Sequence, residues 1–405
     1  MQFKFMKILY IAPYPPAKTG IADYSVAFKQ ALEKYASVKM EVLDPAINAD
    51  ELGKKLKETK YDLIQIELGY HTLREFWLAY KIAKLKISIP VSITVHDPPF
   101  LVGRLIGGSQ PKGKGGSFLK SLLGYTFGKW LNKVYLFLQA PYKNILENKI
   151  IERANLVLAL TEKGSCALKS RFKGKDLNKI HIIPHLTVSD QIKMIGHKKM
   201  GDQKILLHFG YVTFGKGLDT SIEALRFLAK ERHDFVHKIK LWIGGDVPEA
   251  VRDYAIGYKN SIKKKIENCN LKELVEWKGY IPEKNIEEIF SCADLLILPY
   301  ESGPSFSTSG VIIRAMGYGL PIIASDVRGF SDEIRDGMTG LLFKEKDGKE
   351  LAHKILMVLE DEDLSKRLRE NAFYHVSQEH EWEKVAKRVV SFYNQLIGSC
   401  HEDLK

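Results

Sequence analysis

Four hydroxyl residues and a glycine, Ser305, Ser307, Thr308, Ser309 and Gly310, stand between an apolar run, Leu295-Leu-Ile-Leu-Pro299, and a helix-forming segment, Val311-Ile-Ile-Arg314-Ala-Met-Gly317. A helix that starts there aims free backbone N–H groups at whatever lies above the strand, which is an anion site suited to phosphate. The hydroxyls can cap that helix, and Gly310 lets a ligand approach the backbone. The same residues also describe an ordinary capped strand-to-helix turn. A second candidate is His96-Asp97, at the carboxyl end of Val91-Ser-Ile-Thr-Val95, where parallel sheets bind ligands. A structural histidine is the other reading. A third is the loop Ala12-Pro-Tyr-Pro-Pro-Ala-Lys-Thr-Gly20, with Thr19, Gly20 and Asp23 at the start of a helix. The prolines extend it and Gly20 allows a tight approach, although a plain connecting loop has the same composition.

These residues need parallel strands to hold them. Short apolar runs alternate with amphipathic helical lengths, which predicts an α/β chain. The strands expected in the first half are 8–12, 40–43, 63–67, 91–96, 156–160 and 180–184. A less regular stretch, 187–204, precedes a second series at 206–210, 239–245, 275–279, 295–299 and 321–325. Two doubly wound, Rossmann-like parallel-sheet domains facing across a cleft follow, over 1–190 and 204–381, with ligands at the strands' carboxyl ends. Helices are expected from Asp347 to Leu396.

A chain of 405 residues exceeds one ordinary core. Its 45% hydrophobic and 27% charged residues fit a globular protein, and no apolar run is long enough to span a membrane. Met1–Lys7 runs straight into the first strand, so it reads as β-structure and not as a signal peptide, and Met6 is an alternative start. Cys166, Cys269, Cys292 and Cys400 are scattered, which fits free thiols in a cytoplasmic protein better than disulfides or zinc. The net charge of +12 implies an anionic partner. It concentrates in 101–150, where Arg104, Lys112, Lys114, Lys120, Lys129, Lys133, Lys143 and Lys149 meet one acid, Glu147. With Trp130 and its neighbours this stretch reads either as a basic amphipathic surface for anionic lipid headgroups or as core residues with solvated lysines. No nucleic-acid motif is present, so that partner is not expected.

The segment from Pro299 to Ala324 resembles the signature of the retaining, nucleotide-sugar-dependent glycosyltransferases of family 4 (glycosyl transferases group 1), which have the GT-B fold. Ala315-Met316, Gly319 and Pro321-Ile-Ile323 fit the family's Glu-Ala-Met-Ala-x-Gly-x-Pro-Val-Ile pattern, and Ser309-Gly310-Val311 fits a common variant of its phosphate turn. Lys216-Gly217 and Gly210 fit Gly-Arg-x-x-x-x-Lys-Gly, with Tyr211 at the arginine position. His96-Asp97 and the Gly20 loop also resemble family segments, as does Lys278-Gly-Tyr280-Ile281-Pro282, which in the family flanks the base. Glu333 matches a family glutamate and is expected to pack and cap a helix. The family's last helix often crosses back to the first domain, which would be 382–396 here. Two departures stand out. The family's first glutamate falls on Phe306, with Glu301 nearby, and its second, which typically holds the ribose, falls on Arg314.

The resemblance implies transfer of a hexose from a UDP- or GDP-linked sugar to a glycan or lipid-linked acceptor. It implies no bound metal and no further cofactor. In that reading His96, Lys216 and Arg314 act on the departing diphosphate and the sugar. Gly20, Asp97, Gly210, Tyr211, Tyr280, Ile281, Glu301, Ser309, Gly310 and Val311 bind the donor. A guanidinium accepts no hydrogen bonds from ribose hydroxyls. Three outcomes follow for Arg314: it binds donor phosphate, Glu301 takes over the ribose, or the site serves a non-catalytic binding protein. A sugar-nucleotide epimerase of the same fold would place different acids in the cleft. The resemblance is to enzymes many of which act on lipid-linked acceptors at the cytoplasmic face. The sugar, base, acceptor, linkage and oligomeric state are not legible.

Overall fold

A computed structural model describes residues 5–17, 19–44, 46–47, 49–70, 72–103, 138–186, 192–248, 252–303, 305–327 and 329–402. The basic residues from Arg104 to Lys133, and Trp130, lie outside the described residues, so the structure does not bear on the headgroup surface expected there. The chain divides into two compact units, Met1–Ile183 with Ala386–Lys405, and Pro184–Val385.

The first unit runs β1 (Met6–Ile11), α1 (Gly20–Tyr35), β2 (Val38–Leu43), α2 (Ala49–Glu58), β3 (Leu63–Leu68), α3 (Leu73–Lys84), β4 (Val91–Val95), α4 (138–153), β5 (Leu156–Ala159), α5 (Glu162–Arg171) and β6 (Ile180–Ile182). The sheet order is β2-β1-β3-β4-β5-β6, with parallel pairing throughout. Strands β3, β4 and β5 are buried at every position, as a sheet covered on both faces requires. Helix α1 forms because Thr19 caps it, its hydroxyl accepting from Ala22 N–H at 3.1 Å. Its apolar stripe of Tyr24, Ala27, Phe28, Ala31 and Leu32 is buried.

The second unit runs β7 (Lys204–Phe209), α6 (Leu218–Glu231), α7 (His233–Val236), β8 (Ile239–Gly244), α8 (Arg252–Asn268), β9 (Val275–Gly279), α9 (Ile286–Ser291), β10 (Leu295–Leu298), α10 (Gly310–Tyr318), β11 (Ile322–Ser325), α11 (Phe330–Glu333), β12 (Leu341–Phe343), α12 (Gly348–Glu360) and α13 (Glu362–Glu379). A last helix, α14 (Trp382–Glu402), carries the chain into the segment that belongs to the first unit. The sheet order is β12-β11-β10-β7-β8-β9, again parallel. Strand β12 was not among the strands expected from the sequence; at three residues it is too short to show a period.

In both sheets the strand order reverses direction beside the first strand of the unit: between β1 and β3, and between β7 and β10. Loops leaving a sheet at such a point splay apart and open a crevice at the strands' carboxyl ends. In the second unit the crevice lies between the loop 210–217 and the turn 299–309. The two loops are held close. Gly217 has φ +68° and lies so near Pro299 that a β-carbon there would sit 1.6 Å from its carbonyl oxygen. Glu301 N–H donates to the Gly215 carbonyl at 2.9 Å.

Gly217→Ala must therefore move backbone and should destabilise the protein by at least roughly 2 kcal/mol. Gly257→Ala, in helix α8 with open space around it, should instead stabilise by about 0.5–1 kcal/mol. Denaturant midpoints of the two variants check this, and equal behaviour would contradict the close approach.

Candidate functional site

In the second unit the expected anion turn is found where β10 feeds α10. Ser309 occupies the capping position but makes no side-chain hydrogen bond to the helix, which corrects the expectation of a hydroxyl cap. The Thr308 hydroxyl oxygen is buried and has no hydrogen-bond partner among the described residues. Buried polar atoms are rarely left so, and each such case asks for a missing partner. An uncapped helix start leaves backbone N–H groups available to an anion. Helix α6, across the crevice, also starts without a side-chain cap, at Gly217.

Lys216 sits on the other loop. Its ammonium lies 3.7 Å from the centre of the buried Tyr300 ring. Among the described residues no carboxylate comes within ion-pair distance of it. Its charge reaches His208, at the end of β7, a residue the sequence reading did not single out. Burial first, and the Lys216 charge second, push His208 down to about 3. His208 is thus neutral, with Nδ1 3.2 Å from the Ser221 hydroxyl.

The remaining second-unit candidates flank this turn. Gly210 has φ +132° and its N–H donates to the Gly244 carbonyl at 2.8 Å. Tyr211 follows it, half-buried. Gly310 packs against the His185 ring, 3.2 Å from where a β-carbon would be. Val311 is the next residue of α10 and is partly buried. Glu301 pairs with Lys346 at 2.9 Å. Tyr280 is exposed and Ile281 buried after β9. Arg314 lies 2.8 Å from a Glu283 oxygen, as an ion pair whose N–H is not aligned for a hydrogen bond. Glu333 does not cap a helix. It is buried and faces two histidines, His375 at 3.3 Å and His380 at 3.0 Å.

In the first unit Gly20, His96 and Asp97 surround the β1–β3 reversal. A β-carbon at Gly20 would meet no protein atom within 4 Å, so the space before this helix start is open. Thr19 already caps α1, unlike the start of α10. Asp97 accepts from Tyr70 N–H at 2.8 Å. His96 Nε2 lies 2.8 Å from Oε2 of Glu67, which is fully buried at the end of β3. Glu67 was missed. The signal was present, because an acid in the apolar strand Leu63-Ile-Gln-Ile-Glu-Leu68 is costly unless paired. Gln65 Nε2 donates to Glu67 Oε1 at 3.0 Å and Tyr393 donates to Gln65 at 2.8 Å. Burial, then Glu67, push the Tyr10 and Tyr24 hydroxyls well above their ordinary range.

Residues 189–375 match the family described as glycosyl transferases group 1. The matched residues fall within the second unit, Pro184–Val385. The chain is 25% identical over 244 residues to alpha-D-kanosaminyltransferase of Streptomyces kanamyceticus, covering 57% of this chain and 58% of that one. It is 24% identical over 308 residues to an uncharacterized glycosyltransferase of Methanocaldococcus jannaschii, covering 69% and 74%. The chain therefore spans between about a third and three quarters of the length of the curated relatives it matches. Among solved structures it is similar to the Anabaena HepE protein in complex with UDP-glucose, with a TM-score of 0.68 and 17% identity over 96% of this chain and 100% of that one. The fold is GT-B.

His208 provides a pH test. Its folded value of about 3 lies below the ordinary 6.5, so between these values the unfolded chain binds the extra proton. Stability from this group is intact above about pH 6.5 and is lost as pH falls towards 3, by at most roughly 4–5 kcal/mol. Urea midpoints taken between about pH 4 and 7 should fall more steeply for the native chain than for His208→Gln. In Lys216→Met the NMR titration of His208 should move upward, and an unmoved titration would place the lysine charge elsewhere.

Proposed function

We propose that this protein is a retaining glycosyltransferase that moves a hexose from a UDP- or GDP-sugar to a glycan or lipid-linked acceptor. One observation carries the reading: an uncapped start of α10, with the buried Thr308 hydroxyl unpartnered, stands on one side of the strand-order reversal, and Lys216 stands on the other. Such a site binds a diphosphate, and it binds it better as negative charge develops on the leaving group. The domain match supports a sugar-nucleotide donor, and the HepE complexes with UDP and UDP-glucose show that a protein of this fold holds such a ligand. His96, fixed by Glu67, is the first-unit group assigned to the sugar. A neutral ring that donates from Nε2 keeps Nδ1 as an acceptor. The reaction needs no metal in this reading, and the enzyme works in the cytoplasm, at an anionic membrane face where its acceptor is lipid-linked.

A second reading, a non-catalytic protein that binds a sugar nucleotide or a partner enzyme, draws on Arg314. It is turned to Glu283, and the family's first glutamate position holds the exposed Phe306.

Purified protein titrated with UDP-, GDP- and ADP-sugars and their free diphosphates should show a raised thermal midpoint with one nucleotide series. Lys216→Ala should lower turnover of that donor by about 10²–10³-fold with modest loss of stability. Binding without turnover, with or without lipid acceptor, would establish the second reading, and no binding to any of the panel would overturn both.

A further inference from the structure

Behind the donor turn the second unit buries a cluster that the transfer reading does not use. Glu333 ends α11, His375 lies near the end of α13, and His380 caps that helix. Glu333 is 5% exposed and His380 3%. His380 Nδ1 lies 2.9 Å from the His185 carbonyl oxygen, and Nε2 lies 3.0 Å from Glu333 Oε2. The carbonyl only accepts hydrogen bonds, and so does the carboxylate when ionised. A neutral imidazole has one N–H and can serve one of them. Beside an ionised Glu333 the geometry therefore demands a cation at Nε2, either a second proton or a metal ion. His375 Nε2 approaches the same oxygen at 3.3 Å, so a second imidazole points at the same place.

We propose that Glu333, His375 and His380 form a binding site for a divalent metal ion of the zinc type. The three ligand atoms lie within 4.8 Å of one another. The two measured separations, 3.0 and 3.3 Å, are close to the roughly 3.3 Å expected between neighbouring ligands of a tetrahedral ion with bonds of about 2.0–2.1 Å. Two imidazoles and one carboxylate, without a thiolate, suit zinc and leave a fourth position for water. The His380 Nδ1–H bond to the His185 carbonyl fixes the tautomer that offers Nε2 to a metal, a supporting contact that metal-bound histidines almost always make. Without metal, an additional proton must stand at His380 Nε2, between the ring and Glu333.

Bound there, the ion ties α11 to the end of α13 and, through His380, to the backbone of His185. The His185 ring is the one that packs on Gly310. The site is an anchor for the donor turn and takes no part in the transfer, so it stands whether or not the transfer reading does.

The test strips the full-length protein with a chelator, dialyses it against zinc sulfate and measures bound zinc and thermal midpoint together. His375→Gln is the main variant, because its side chain is 15% exposed and the change keeps bulk and polarity. Glu333→Gln is the second, and Cys166→Ser controls for zinc on the exposed thiol. The native chain and Cys166→Ser should each hold about one zinc per chain more than His375→Gln, and zinc should raise their midpoints while leaving that of His375→Gln unchanged. Equal zinc in the native chain and a His375→Gln protein with native circular dichroism would overturn the proposal. So would zinc that binds without moving the native midpoint.

Discussion

The second unit depends on how closely the loop after β7 approaches the end of β10. Gly217 rests on the Pro299 carbonyl with no room for a side chain, and the Gly215 carbonyl takes the Glu301 N–H. Fixing the loop this way sets three things at once. Lys216 is placed over the Tyr300 ring, α6 begins at the crevice, and the chain after Pro299 is aimed towards the start of α10. Gly245 does the same one strand over, where a β-carbon would lie 1.8 Å from the Gly210 carbonyl oxygen. Backbone atoms thus pack directly on backbone around the crevice. Side-chain dipoles would be free to turn, whereas amides held this way are oriented before any ligand arrives. The cost is a lysine that meets no carboxylate among the described residues and lies near a buried histidine, His208, which burial first and the lysine second keep without charge.

The first unit meets a different constraint, an acid inside its sheet. Fully buried Glu67 would be destabilising alone. His96 Nε2 meets one oxygen and Gln65 Nε2 the other, and Gln65 is completed by Thr94 at 2.8 Å and by Tyr393. The segment after Ala386 therefore supplies a polar atom that the strands themselves lack. Tyr393 is wholly buried, so this contact comes with apolar burial worth about 1.5–3 kcal/mol. These contacts hold His96 in one orientation at the edge of the sheet.

Much of this was legible because parallel strands covered on both faces read as apolar runs. Each of the eleven strands expected from the sequence is present within two residues of its expected ends. The turn at Ser309-Gly310 was found by its composition, and its helix starts at Gly310. Roles that depend on distant partners were not legible. Ser309 has the right residue type and the extended backbone of a cap, yet its side chain makes no hydrogen bond to the helix. Glu67 and His96 are 29 residues apart, and Glu333 and His380 are 47 apart. Pairing over such distances is set by sheet order and helix packing, which no local period records. The basic stretch from Arg104 is a compositional signal alone, since its residues up to Lys133 fall outside those described.

Arg314 shows how a local departure can be read too narrowly. Taken alone, a guanidinium in place of a carboxylate reverses the charge in α10. It also sits badly near the amino end of a helix, where the partial charge is already positive. The structure gives it Glu283, carried on the short turn after β9, at 2.8 Å. The pair restores local neutrality and keeps a carboxylate beside the helix, although that carboxylate now comes from a neighbouring loop. Glu283 is 62% exposed, so the pair adds less than about 1 kcal/mol to stability. Its weight lies in placement. The guanidinium is 11% exposed and held, while its partner faces solvent and can be shared with a ligand. Position 314 is thus one half of a two-residue unit. A change there to glutamate would set two carboxylates against each other, so the meaning of Arg314 can be read only with Glu283 altered beside it.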